Sequence, residues 1–210
     1  MDHISFKSRI NFVDINTFKR LQQNGGKYVA FKENSPLYCK SDKFYTSLIK
    51  TCTGGGITDG NTNAVGFHLL DSYENYSQID KICKYIIDAV ENSPLSGLLV
   101  GGKNLLNRKY SRKMFQAMKN NFSDRVDNLS IFEEHANHYG ATSYIYDLKT
   151  DTWTLFADFI DSDLKYHNVN SLEKLKNFYK KIKIAKNDIL LIDGVSHSQN
   201  KLKEHGFIIK

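Results

Sequence analysis

Residues 142–159 read TSYIYDLKTDTWTLFADF: two alternating segments, TSYIYDL (142–148) and TWTLFADF (152–159), separated by Lys149-Thr150-Asp151. Bulky β-branched and aromatic residues alternating with polar ones, broken by a short polar turn, predict a β-hairpin. Trp153 and the tyrosines are expected in the core and in cross-strand pairs. Outward from the hairpin, LSIFE (129–133) and DILLID (188–193) read as strands, the latter closing the fold. Ser171 to about Lys183 is expected as one helix, with Ser171 as N-cap, Leu172, Leu175 and Phe178 inward, and lysines in the last turns. Toward the N-terminus, SGLLVGG (96–102) reads as a buried strand, followed by a helix carrying Tyr110, Met114, Phe115 and Met118 on one face. Ile79, Ile82, Cys83, Ile86, Ile87 and Val90 recur at helical spacing within an amphipathic helix from Glu74 to Asn92, ended by Pro94. Ala64 to Leu70 and KYVAF (27–31) are expected strands, 1–24 a mixed, mainly helical lead-in, 41–50 a short amphipathic segment, and Gly54 to Gly60 a glycine-rich loop. The pattern is α+β: a sheet-rich core with helices outside.

The 210 residues, 40% hydrophobic and 25% charged, have the composition of a globular protein and form one expected domain, 1–210. No apolar run approaches the roughly 18 residues of a membrane span. The N-terminus, MDHISFKSRINF, has no continuous apolar region of the secretory-signal type. Net charge is +6, but 24 lysines stand against 5 arginines and are spread along the chain. No nucleic-acid-binding spacing accompanies them, so no nucleic-acid partner is expected. Three irregularly spaced cysteines, Cys39, Cys52 and Cys83, form neither a disulfide framework nor a CxxC, and favour a reducing compartment or a catalytic thiol.

Cys52 follows the apolar segment that starts at Thr46 and precedes Gly54-Gly55-Gly56, and His68 lies sixteen residues downstream in AVGFHLLD. A thiol nucleophile needs a base, and a strand at that separation can return a histidine alongside it. Backbone amides of Thr51, Thr53 and Gly54 are candidates to hold an oxyanion. An activated Cys52 is expected to react faster than Cys39 and Cys83.

TSLIKTC (46–52) followed by VGFHLLD (65–71) resembles the CheD-like protein glutamine deamidases, which include the cytotoxic necrotizing factor catalytic domain and the Burkholderia lethal factor. That family carries a threonine, a short Leu-x-Gly-Cys element and a histidine on the next strand. The resemblance covers about residues 44–160 and implies a β-sandwich-like core. It makes Cys52 the nucleophile, His68 the base and Thr46 the residue that orients the imidazole. GLLVGGKNL (97–105) is similar to the family's Gly-Gly strand end. Lys50 and Thr51 replace the glycine and its neighbour ahead of the cysteine, a departure that leaves open a catalytically silent binding module of the same fold. The same residues would also serve a transglutaminase or a cysteine peptidase. The resemblance implies no cofactor, a protein substrate bearing a target glutamine, and a monomer. It also favours a bacterial effector or toxin, made in the bacterial cytoplasm and translocated into a host cytoplasm.

Other motifs carry less. Gly97-x-x-x-x-Gly102-Lys103 matches a phosphate loop formally, but Asn104 stands at the Ser/Thr position and LLVG is strand-like. GGGITDG (54–60) lacks the helix start of a dinucleotide fingerprint. Glu134, His135 and His138 would share a face only if EEHANHYG (133–140) were helical, and its flanks are β-rich, so no metal is expected. Asp193 and His197 read as a solvated turn.

Overall fold

The protein is described by a computed structural model covering residues 7–29, 38–90, 94–103, 108–135, 139–160 and 163–210. Two sheets lie face to face. In the first, β1 (Arg9–Phe12) runs parallel between β10 (Thr152–Ile160) and β13 (Ile189–Ile192), with β14 (Val195–Ser196) beyond β13 at the edge. Beyond β10 follow β9 (Tyr139–Asp147), β4 (Lys43–Ile49) and the edge strand β2 (Lys27–Tyr28), while β11 (Tyr166–Asn168) pairs with the far end of β10. The second sheet has the order β15 (Ile208–Ile209), β12 (Tyr179–Ile184), β8 (Asn128–Glu134), β7 (Ser96–Gly101), β5 (Thr53–Thr58), β6 (Ala64–Leu69) and β3 (Tyr38–Lys40).

Helices cover both outer faces. Helix α1 (Ile15–Gln23), capped by Asp14, packs Phe18 against Phe156 of the first sheet. Helices α3 (Ile79–Asp88) and α4 (Ser111–Ser123) bury Cys83, Ile86, Met114 and Phe115 against the second, and α4 carries the chain between parallel β7 and β8. The short α2 (Tyr73–Ser77), α5 (Leu172–Phe178) and α6 (Gln199–Glu204) complete the described helices.

The hairpin of β9 and β10 is continuous from Asp147↔Thr152 to Tyr139↔Ile160, with Asp151 in a left-handed conformation at the turn. Buried Trp153 packs against its cross-strand partner Tyr146, the rings tilted by 36° with centroids 4.3 Å apart.

Gly54, Gly56 and Gly66 face the first sheet without side chains, and its aromatic rings occupy that space. A Cβ on Gly66 would overlap the Phe44 ring, one on Gly56 would lie 2.8 Å from Trp153 Cη2, and one on Gly54 would strike Ile49 and approach Tyr144. Tyr144 also shares its hydroxyl proton between the carbonyls of Gly55 (2.6 Å) and Phe67 (2.8 Å), tying the two sheets together.

Several expectations change. The 1–24 lead-in contains a central strand as well as a helix, because RINF finds parallel partners on both sides. The glycine loop at 54–60 is instead the central strand β5, since packing against aromatics overrides glycine's low strand preference. The 74–92 helix is divided into α2 and α3. The expected 171–183 helix ends at Phe178, where YKKIKI turns to strand and pairs with β8; Ser171 does cap it, accepting from the Lys174 amide. Residues 41–50 contain β4, DILLID is followed by three more elements, and only Lys27–Tyr28 of KYVAF forms a described strand, residues 30 and 31 lying outside the described set.

Gly66→Ala should therefore destabilise the fold by about 1–3 kcal/mol through overpacking, with an unchanged denaturant slope. Urea unfolding checks this, and a neutral substitution would contradict the interlock.

Candidate functional site

Strand β4 pairs with β9 as far as Thr46↔Tyr144 and resumes at Ile49↔Thr142, so one extra residue is accommodated between them. At this bulge Leu48 adopts φ 58°, where a non-glycine residue is strained by about 1–2 kcal/mol. Its amide donates to Ser143 Oγ (3.1 Å). Thr46 is fully buried and points across the inter-sheet space to His68 on β6. Its Oγ1 lies 2.8 Å from the Val29 carbonyl oxygen and 2.7 Å from His68 Nδ1. A hydroxyl has one proton and a carbonyl can only accept. Thr46 therefore donates to Val29 and accepts from His68 Nδ1–H, which assigns the imidazole lone pair to Nε2.

His68 stands opposite Gly54, whose missing side chain faces the first sheet, so the imidazole is on that inner face too. Cys52, two residues before Gly54, returns to the same face and joins the same core cluster. By register Cys52 is a diagonal neighbour of His68, and such neighbours are separated by roughly 7–8 Å. Thr46 and His68 thus meet across the sandwich, and Cys52 lies in the bend that leads into β5. Gly101 of β7 passes over this point: a Cβ there would lie 2.7 Å from the Cys52 carbonyl oxygen, and its φ of 137° suits glycine.

The electrostatics keep both Cys52 and His68 neutral. Burial pushes the Cys52 thiol up to about 11, aided by the Asp71 carboxylate; the Asp71 backbone amide and Arg108 oppose the rise. Burial holds His68 down at about 4. At neutral pH the pair is thiol and imidazole, with no preformed thiolate–imidazolium ion pair. Cys39 is less buried than Cys52, and Cys83 is pushed up to about 12. An environment that holds Cys52 protonated does not favour the high thiol reactivity expected of it, and the faster general labelling should be at Cys39.

Thr53 and Gly54 pair with Leu69 and His68, and Gly54 also with Val100, so they are ladder residues. The backbone outside the ladder is the bend formed by Lys50, Thr51 and Cys52. Asp71 and Arg108 are not marked out by the sequence pattern. Thr51 Oγ1 donates to Asp71 Oδ1 (3.2 Å), and Arg108 Nη1 lies 3.8 Å from the same oxygen, which fastens the bend. The one cue is the aspartate ending VGFHLLD. Lys103, next to the Gly-Gly strand end, is buried and donates to the Gly140 carbonyl (3.1 Å). Glu134 sits on strand β8 and accepts from Thr142 Oγ1 (2.9 Å), so the helical face that a metal reading required is not formed; His138 lies outside the described residues. Among the described residues no group of three His, Cys, Asp or Glu side chains is placed to hold a metal. The formal phosphate loop at 97–103 is largely the buried strand β7. His197 follows the edge strand β14, at the opposite side of the first sheet from β4. Among the described residues no helix is long and apolar enough to cross a membrane.

In comparisons with known proteins, no family model and no curated protein matches this chain.

Alkylation of Cys52 followed against pH should rise toward a midpoint near 11 in the wild type and at lower pH in Asp71→Asn, because removing the carboxylate charge eases thiolate formation. A midpoint near 9 in both proteins, read by peptide mass spectrometry, would contradict this electrostatic account.

Proposed function

We propose that the chain is a protein glutamine deamidase of the Cys-His type with a CheD-like core, acting as a bacterial effector or toxin on a host protein. The observation that carries the reading is the 2.7 Å contact between Thr46 and His68 Nδ1, which leaves Nε2 as the basic nitrogen on the face that Cys52 shares.

In this reading the carboxamide of a substrate glutamine enters beside Cys52. Sγ attacks the amide carbon while its proton passes to His68 Nε2, so the ion pair exists only as the tetrahedral intermediate forms. Amides of the Thr51–Cys52 bend donate to the oxyanion. The imidazolium returns its proton to the departing nitrogen, ammonia leaves, and a thioester remains. His68 then takes a proton from water as it attacks, and the Cys52 thiolate leaves and is reprotonated. Glutamine and water give glutamate and ammonia. At physiological pH the buried imidazole is unprotonated at Nε2 and so free to accept the thiol proton when the substrate binds. The Lys50 and Thr51 departure is accommodated by Asp71, which holds the bend through Thr51 where the family uses glycine.

The test is mass spectrometry of host and bacterial lysate proteins incubated with wild type and with Cys52→Ala. A glutamine shifted by about one dalton only with the wild type supports deamidation. No Cys52-dependent shift in either lysate leaves the silent binding module, cleaved peptide bonds a peptidase, and amine incorporation a transglutaminase. On an identified substrate, His68→Ala should lower the rate by about 10²–10⁴-fold. Thr46→Val should lower it about tenfold by removing the acceptor for Nδ1–H, and Thr46→Ser should restore most of that loss. Equal rates for Thr46→Val and wild type would remove threonine from the mechanism.

A further inference from the structure

Large apolar side chains are exposed unevenly over the described surface. Leu48, Tyr139, Ile160 and Tyr166 line one cavity, and Leu164 stands two residues before Tyr166; together they are five of nine such side chains among the described residues. Leu48 is 60% exposed, Tyr139 82% and Leu164 84%. The cavity measures about 320 Å³ and has mainly apolar walls completed by Phe159. It is near the lower limit of roughly 300 Å³ for ligand pockets, a size suited to one large side chain rather than an extended cofactor. Thr51 also lines it, so the cavity begins one residue from the nucleophile.

Leu48 supplies a second, independent observation. The bulge after Thr46 holds it in a left-handed conformation that disfavours leucine, yet most of its side chain faces solvent. A strained backbone that presents an apolar side chain to solvent at the mouth of a cavity points to contact with a ligand. The charges identify the occupant further. Lys103 is engaged with the Gly140 carbonyl, and Asp158 is hydrogen-bonded to Tyr166. Buried Glu134 faces Lys103, whereas Lys50 is exposed at the rim, near enough to Asp158 to oppose the upward push of burial on its carboxyl, and is the cation of the lining open to solvent.

We propose that this cavity is the specificity subsite for the substrate polypeptide. It takes a leucine, methionine or phenylalanine side chain within about two residues of the target glutamine, with an acidic neighbour facing Lys50. The assignment deepens the deamidase reading and rests on it for delivery of the glutamine to Cys52.

Fluorescent glutamine peptides titrated against the full-length Cys52→Ala protein test it, since binding is then read without turnover. Peptides with leucine or phenylalanine beside glutamine and a flanking glutamate should bind about tenfold or more tightly than serine or lysine counterparts. Leu48→Asp, at a solvent-facing position, should remove the apolar preference with the melting temperature retained. Lys50→Glu should reverse the preference from flanking glutamate to lysine. Ile160→Asp serves as a second wall variant should Leu48→Asp fail to fold. Equal binding of all peptides, no binding at millimolar peptide, or indifference to the wall and Lys50 substitutions overturns the proposal. Selective binding with no ammonia release by wild type would sink the deamidase reading and leave the subsite standing. Ammonia release without apolar selectivity would do the reverse.

Discussion

The separation of the two sheets depends on three positions that have no side chain. Gly54, Gly56 and Gly66 allow Ile49, Tyr144, Trp153 and Phe44 to sit directly against the backbone of β5 and β6. Interiors are close-packed, so an added methyl group at these points must displace a ring or a strand. The close approach is also what brings Thr46, on one sheet, within 2.7 Å of His68, on the other. The Thr46–His68 pair is therefore held by strands of the two sheets, and only Cys52 stands on a bend. The pair is a consequence of how the sandwich closes, and a change that widened the sheet spacing would separate the imidazole from its orienting hydroxyl before it unfolded the chain.

Burial sets the chemistry of this site as firmly as it sets the geometry. A low-dielectric interior disfavours charge on both Cys52 and His68, and the Asp71 carboxylate adds to the difficulty of forming a thiolate. Such a site is quiet towards general electrophiles, and the proposed mechanism has it react only once a bound carboxamide and oxyanion donors are in place. Asp71 has two roles that partly oppose each other: its side chain secures the Thr51 bend, while its charge raises the thiol. Arg108, 3.8 Å from that carboxylate, tempers the charge without removing the hydrogen bond.

The readability of the sequence followed the strength of local periodicity. The 142–159 hairpin, the strands at 64–69 and 96–101, and helix α4 have patterns that tertiary structure does not oppose. The strands at Arg9–Phe12 and Thr53–Thr58 were hidden for different reasons. The first is too short to show alternation and exists because two parallel neighbours receive it. The second is glycine-rich, and its strand character comes from the rings packed over it rather than from its own preference. The lysines at 180, 181 and 183 suggested the end of a helix, whereas β8 pairing makes them part of a strand. Thr46, Cys52 and His68 are picked out by spacing and resemblance, and the fold brings Thr46 and His68 into contact. Asp71, Arg108 and the Leu48 bulge could not be, because their significance lies in contacts between segments distant in the chain and in a backbone angle.

The most direct measurement of this account is the tautomer and titration of His68 by nitrogen-15 NMR. The Thr46 contact and the buried position require a neutral ring with its proton on Nδ1 and Nε2 unprotonated, persisting on acidification to about pH 4. A ring protonated on Nε2, or one that titrates near 6.5, would contradict it.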